Sequence, residues 1–580
     1  MKKIINKLFV LGLSVLLISC NSMLEESPST LTPGFFATAQ GLEAGLNSLY
    51  YQLRNVYRSG ASTGTDEFTM TDAVNATEAC VNTYSNLLNS VNAGGGWFFS
   101  HINTCNGILE KGTAVTDMDE TRKKVIFAET KTLRALFYFQ LVQTFGPVPL
   151  DLGSGKLVYN SKFNTLSVRD PVSEVYEAII NDLEEALPDL PDKNDQKGRI
   201  TKATALHFLA KVYLTRGWHN EAKQTNDYAD AFRYANELIQ NRATYGKELQ
   251  QSYALVHAEG HEDDTETILN AQCTHDIEFG LTYGHSLAWV VTAGYENVRL
   301  DISTGSVAIV PRCMEYQRPW RMYIPTKWVL YEAFNDKVND SRWDGSFRMM
   351  WECRASAENG ISAANIQALA DYGMVYGDTA ILLILEDVIP PQYAGKKYKI
   401  FTAANNYYEE GAKHTPYMFP TLYKYDDTKR YAINDVSMRP VFIARLAETY
   451  LIAAEALIMQ GKKQEALDYI NPVRKRAAYR EGMSASELAD AEQAMTITDP
   501  NVLDIDFILA ERTRELCGEG GMRWYDLTRT HKLVERVRQY NPEGSPNIQD
   551  FHVLRPIPQT QIDLMSDEAQ KAAYQNEGYN

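Results

Sequence analysis

Two stretches of the chain, residues 35–255 and 436–580, carry the hydrophobic period of amphipathic helices; the stretch between them, 256–435, does not. In the first, Leu42, Leu46, Leu49, Tyr50 and Leu53 form one apolar stripe, and Ile102, Cys105 and Ile108 form another beyond a polar loop. A long Ala-, Leu- and Phe-rich run from Thr121 to Phe145 stops at Gly146-Pro147-Val148-Pro149, where neither residue type continues a helix. Asp170-Pro171 opens the next run, which reaches about Leu187 before Pro188 and Pro191 break it. Residues 201–218 and 227–240 follow as a further pair, with Ala203, Ala210 and Gly217 seven apart. Such a spacing drifts only about 20° per step around a helix, so the small residues share one face and a partner helix can approach closely. It returns at Ala447, Ala454 and Gly461. There the run from Arg439, with Ile443, Leu446, Ala447, Tyr450, Ala454 and Leu457 at helical spacing, predicts a helix closed by Gly461, and Ala466, Leu467, Ile470 and Val473 a second one at once. Hairpins at 121–187, 201–241 and 439–479, with 38–54 and 97–111 as a fourth, predict a mainly α fold: tetratricopeptide-like helical hairpins stacked in a superhelix.

The interruption at 256–435 is a large loop-rich insertion in which turn residues, tyrosines and tryptophans replace the helical period. A repeat array is a frame, and its insertions are where ligand specificity is expected. Trp328 lies in the amphipathic run PTKWVLYEAF and is expected in the core. Tyr283, Trp289, Tyr295 and Trp320 have no helical frame to pack into and are the candidate stacking rings. Composition adds an exclusion. With 57 Lys+Arg against 74 Asp+Glu the net charge is −17, which argues against nucleic acid, whose phosphates need a concentrated positive surface.

At the N-terminus, Lys2, Lys3 and Lys7 precede an apolar run from Leu8 to Ile18, too short to span a bilayer and right for a signal-peptide core. It ends at Ser19-Cys20, a small residue before cysteine as in a bacterial lipobox. Residues 1–19 are thus expected to be removed, Cys20 to carry the lipid anchor, and 20–34, with few apolar residues beyond Met23 and Leu24, to serve as a tether. The other six cysteines form no CxxC pair, so neither a zinc site nor a dense disulfide framework is indicated.

The C-terminal region is the most specific. Glu511, Arg512, Arg514 and Glu515 precede the glycines 518, 520 and 521 and the run Arg523-Trp524-Tyr525-Asp526-Leu527. These charges are expected to form a buried ion-pair network locking the C-terminal helices. The segment ILAERTRELCGEGGMRWYDLTRT, with NPVRKRA before it and FHVLRPIPQTQID after it, resembles the signature of the RagB/SusD family of outer-membrane nutrient-binding lipoproteins. The long helix ending in Gly-Pro-Val-Pro is similar to that family as well, and Asp340-Ser341-Arg342-Trp343 resembles a family segment read as structural. The resemblance implies a surface-exposed lipoprotein that captures a glycan and passes it to a SusC-like TonB-dependent transporter in the same outer membrane. It also implies that the loop 58–75, short of apolar anchors, lies beside the ligand site, which brings Asp66 and Asp72 in as hydroxyl-binding candidates together with Arg321.

Other chemistry is weakly signalled. His257 and His261, beside Glu259, Glu262, Asp263 and Asp264, have metal-ligand spacing, but glycine interrupts at 260 and no HExxH order is present, so no metal or cofactor is expected. No GxSxG elbow, P-loop or GxGxxG fingerprint occurs. Two rival readings stand beside a non-catalytic glycan binder: a surface glycoside hydrolase, whose carboxylate pair the sequence cannot place, and a peptide- or protein-binding repeat scaffold.

Overall fold

A computed structural model describes residues 34–57, 64–70, 76–88, 99–161, 168–274, 284–403, 418–520 and 522–579. Its frame is a set of paired helices. Ala39–Tyr57 packs on Phe99–Lys111, Glu120–Phe145 on Val172–Ala186, Lys202–Trp218 on Asp227–Gln240, and Leu446–Met459 on Lys463–Ala478. Leu446–Met459 also packs on Asp227–Gln240, so the last pair continues the array across the intervening insertion. The mainly α, tetratricopeptide-like architecture is the one the hydrophobic period predicts.

Local chemistry sets the helix ends. The Asp119 carboxylate accepts from the backbone N–H of Arg122 at 2.9 Å and caps the longest helix, which stops where Gly146 takes φ +72°. At the start of Lys202–Trp218 the Thr201 backbone N–H donates to the Thr204 hydroxyl at 3.3 Å, one half of a capping box. The small-residue stripe works by close approach: Ala203 and Ala210 are fully buried, and a Cβ added to Gly217 would meet the Tyr228 ring at 2.8 Å. That ring is itself held, because the Tyr228 hydroxyl donates to the Gly217 carbonyl at 2.8 Å.

One boundary differs from the sequence reading. The run from Arg439 begins as a strand, Val441–Arg445, and turns helical only at Leu446. The strand pairs antiparallel with Thr267–Ala271, Val441 opposite Ala271 and Arg445 opposite Thr267, and all five of its residues are buried. Val441, Phe442 and Ile443 are β-branched or aromatic and suit a strand buried on both faces; the apparent helical phase of Ile443 was a coincidence of spacing. Within the insertion, Met350–Glu352, Thr379–Leu383 and Lys399–Phe401 form a three-stranded sheet, and Tyr295, Val310, Tyr316, Trp351 and Phe419 build a separate small core. Trp328 is buried, as its amphipathic run predicts.

Buried ions tie the insertion to the frame. Arg342 reaches Asp340 at 2.7 Å, Glu511 at 2.8 Å and Glu515 at 3.3 Å. Arg445 reaches Glu519 at 2.7 Å, Glu266 at 2.6 Å and Glu515 at 3.1 Å, while Arg474 and Arg514 share the second oxygen of Glu511. Burial alone would raise the Glu511 carboxyl, but Arg342, Arg514 and Arg474 outweigh it and hold it well below the usual carboxylate range. This is the network expected from the ERTREL run. Its members come from five separate stretches of chain, so it fixes where the insertion sits as much as how the C-terminal helices pack.

Candidate functional site

The site begins with a backbone clamp. Three successive N–H groups, of Trp320, Arg321 and Met322, donate to the carbonyls of Trp289, Thr292 and Val290 at 3.0, 3.1 and 2.8 Å. They reach carbonyls at and just past the end of the short helix Leu287–Val290, that of Trp289 also accepting from the Thr292 N–H at 3.3 Å. The clamp requires Arg321 to take φ +58°, an uncommon conformation for a residue with a Cβ. Just beyond it, Tyr323–Pro325 pairs antiparallel with Phe68–Met70, Met70 opposite Tyr323.

This backbone presents two tryptophans edge to face. The rings of Trp289 and Trp320 are 5.0 Å apart at 62°. Trp289 is 7% exposed and serves as the support, whereas Trp320 is only partly buried and offers ring surface to solvent. The Arg318 guanidinium lies 5.3 Å from the Trp289 ring and 5.7 Å from the Trp320 ring, within cation–π range of both. A partly exposed indole held from behind and flanked by a cation can take an apolar face against its ring and polar groups along its edge.

The predicted site residues are not all here. Trp289, Trp320 and the partly exposed Arg321 come together. Tyr295 does not: it is fully buried, its hydroxyl donates to the Gln317 carbonyl at 2.8 Å, and burial pushes its phenol well above the ordinary value. Asp66 is also fully buried. Its two oxygens accept from Arg523 Nε and Nη2 at 2.7 Å each, and Arg536 pairs with it as well. Both are corrections, since neither side chain presents a surface to a ligand; Asp66 anchors residues 64–70 to the C-terminal helices. Asp72, Tyr283 and Cys20 lie outside the described residues. His257 and His261 part company. His257 is buried 3.3 Å from Glu519 with its pKa lowered to about 3 by desolvation, and His261 pairs with Asp264 at 2.6 Å. Among the described residues no group of three His, Cys, Asp or Glu side chains is placed to hold a metal ion.

Arg318 is the residue sequence reasoning missed. A signal was present: in the extended run Arg318-Pro319-Trp320 the first and third residues share a face, so a cation was aligned with the candidate ring. A hollow of about 300 Å³ elsewhere is lined by Lys193, Lys197, Arg199, Lys247 and Asp263 and includes none of these rings.

Comparison with known proteins agrees with this architecture. The model of the family described as "SusD family" matches residues 335–579, and one described as "Starch-binding associating with outer membrane" matches residues 24–214. SusD-like protein P2 of Formosa agariphila is 25% identical over 569 residues, 95% of this chain and 96% of its own. Starch-binding protein SusD of Bacteroides thetaiotaomicron is 25% identical over 493 residues, 82% of this chain and 76% of its own. Among solved structures, surface glycan-binding protein A of B. thetaiotaomicron in complex with laminarihexaose superposes with a TM-score of 0.61 at 19% identity, covering 93% of this chain and 99% of that one. B. fragilis NanU superposes with a TM-score of 0.65 at 18% identity, covering 95% and 99%. With family models matching at both ends, full-length relatives and the helical-hairpin frame all in agreement, the chain belongs to the SusD/RagB family.

Proposed function

We propose that the protein binds a glycan on the Trp320 face, without breaking a bond, and delivers it to a TonB-dependent transporter of the outer membrane. The observation that carries this reading is the partly buried Trp320, braced by Trp289 and fixed by the three backbone hydrogen bonds of the clamp. The C–H face of a sugar ring stacks on such an indole, while Arg318 and Arg321 stand beside it to meet hydroxyl or ring oxygens. Support from relatives is of the same kind: one solved structure of this fold holds laminarihexaose and another is a laminarin-binding protein. Attachment would be through lipidated Cys20, and among the described residues no helix is long and apolar enough to cross a membrane. The transporter partner and the cell-surface location follow from family membership and belong to the proposal.

Trp320→Ala tests the site. Loss of one stacking ring is expected to weaken glycan binding by about 1–3 kcal/mol, by analogy with aromatic platforms for flat ligands, and to lower the unfolding midpoint as well, because the ring packs on Trp289 and against the main core. Isothermal titration against the glycan selected on an array reads the loss. Unchanged affinity in a folded variant would move the site elsewhere, and sustained release of reducing ends by the purified protein would refute the non-catalytic reading.

A further inference from the structure

We infer that the ligand of this face is an acidic saccharide, bearing a carboxylate or sulfate ester that Arg318 receives; the inference rests on the reading of Trp320 as a glycan platform. In this insertion Arg299 and Arg430 donate to backbone carbonyls, of Ser306 at 3.4 Å and Tyr316 at 3.2 Å, and four other arginines are matched by carboxylates. Arg342 has Asp340 at 2.7 Å, Arg348 has Asp426 at 2.6 Å, Arg354 has Glu352 at 2.6 Å, and Arg312 is paired with Glu296. Arg318 breaks the pattern. No carboxylate or other acceptor takes its guanidinium among the described residues, and its Nε is buried with no hydrogen-bond partner. Its recorded neighbours are the two indole rings, which attract the charge but accept no conventional hydrogen bond from it. Trp289 Nε1, a second donor beneath the same face, is likewise buried without a partner.

A guanidinium kept unpaired in a chain of net charge −17 is conspicuous, because acidic side chains to neutralise it are plentiful. The global charge opposes an anionic ligand only weakly at contact range, since charges beyond about 8 Å are screened at physiological salt; the local cation decides. Stacked on the indoles, Arg318 has lost conformational freedom, and its planar fork fits two oxygens of one carboxylate or sulfate. A sugar seated on Trp320 would place an acid on the same or the neighbouring ring beside that fork.

The test is a glycan array printed with matched sets: neutral oligosaccharides, their uronate-containing counterparts and their sulfated counterparts, probed with the full chain and with R318Q and R318K, and followed by titration calorimetry of the binding members. The expected result is signal on an acidic set, with affinity about tenfold to a hundredfold above the matched neutral sugar, the range of one charge-assisted contact. R318Q should weaken the acidic members far more than the neutral ones and so erase that preference. R318K, which keeps the charge but not the fork, should lose part of it, and it serves as the decisive variant if R318Q does not fold. Whether uronates or sulfate esters respond identifies the acid. Binding of neutral members at equal affinity, or an acid preference that survives both substitutions, overturns this inference and leaves the glycan reading standing. Silence across every set counts against the glycan reading itself, and this inference falls with it.

Discussion

Replacing Asp66 by asparagine separates a structural from a ligand-binding role at a position where sequence and structure disagree. Asp66 is fully buried and its carboxylate is the shared acceptor of Arg523 and Arg536, residues more than 450 positions away in the chain. The amide that replaces it turns a donor toward two buried guanidiniums. Breaking a buried ion pair by removing one partner costs about 3–5 kcal/mol, because the remaining charge stays desolvated. The stabilisation depends on pH in a defined direction. Burial by itself would raise the Asp66 carboxyl, but Arg523 and Arg536 outweigh it and hold it below its ordinary value. A carboxyl lowered in the folded state contributes fully above its unfolded value of about 3.9 and loses that contribution as pH falls toward the folded value. The gap between native protein and D66N should therefore be widest near neutral pH and shrink below about pH 4. Urea unfolding followed by circular dichroism at several pH values measures it. Glycan titration at pH 7 of folded D66N should be unchanged. A variant as stable as the native protein that no longer binds glycan would show that Asp66 faces the ligand, and the burial argument would be refuted.

Two further outcomes follow from packing. Gly217→Ala places a methyl group at 2.8 Å from the ring of Tyr228, which its hydroxyl bond prevents from swinging freely. Overpacking of about 1–3 kcal/mol should exceed the helix-propensity gain of about 1 kcal/mol, so the unfolding midpoint should fall; a rise would mean the helix pair can spread. Cys105, Cys313, Cys353 and Cys517 are buried free thiols, and burial pushes the Cys313 thiol up to about 12. Brief alkylation of the native protein at pH 8 should label Cys80 and Cys273, which are partly exposed, and spare those four, as mass spectrometry of the peptides would show.

What the sequence determined by itself is what depends on neighbours three to seven positions apart. The helix pairs, the glycine stops at Gly146 and Gly461, and the close-approach faces at Ala203, Ala210 and Gly217 are all local periodicities, legible because one helix face recurs every turn. The charge run of Glu511, Arg512, Arg514 and Glu515 also announced a buried network, since so many ionisable groups beside an apolar stripe require partners. Tertiary structure alone decided who those partners are. Asp66 looks like a solvated loop residue until Arg523 and Arg536 are folded over it. Tyr295 looks free to stack until the insertion's own core closes around it, and Val441–Arg445 reads as helix until Thr267–Ala271 supplies its sheet edge. The binding face has the same origin: Trp289 and Trp320 lie 31 positions apart, and only the backbone clamp brings their rings to 5.0 Å and sets Arg318 across both. Burial and pairing are properties of contacts across the chain, and a period along it carries no record of them.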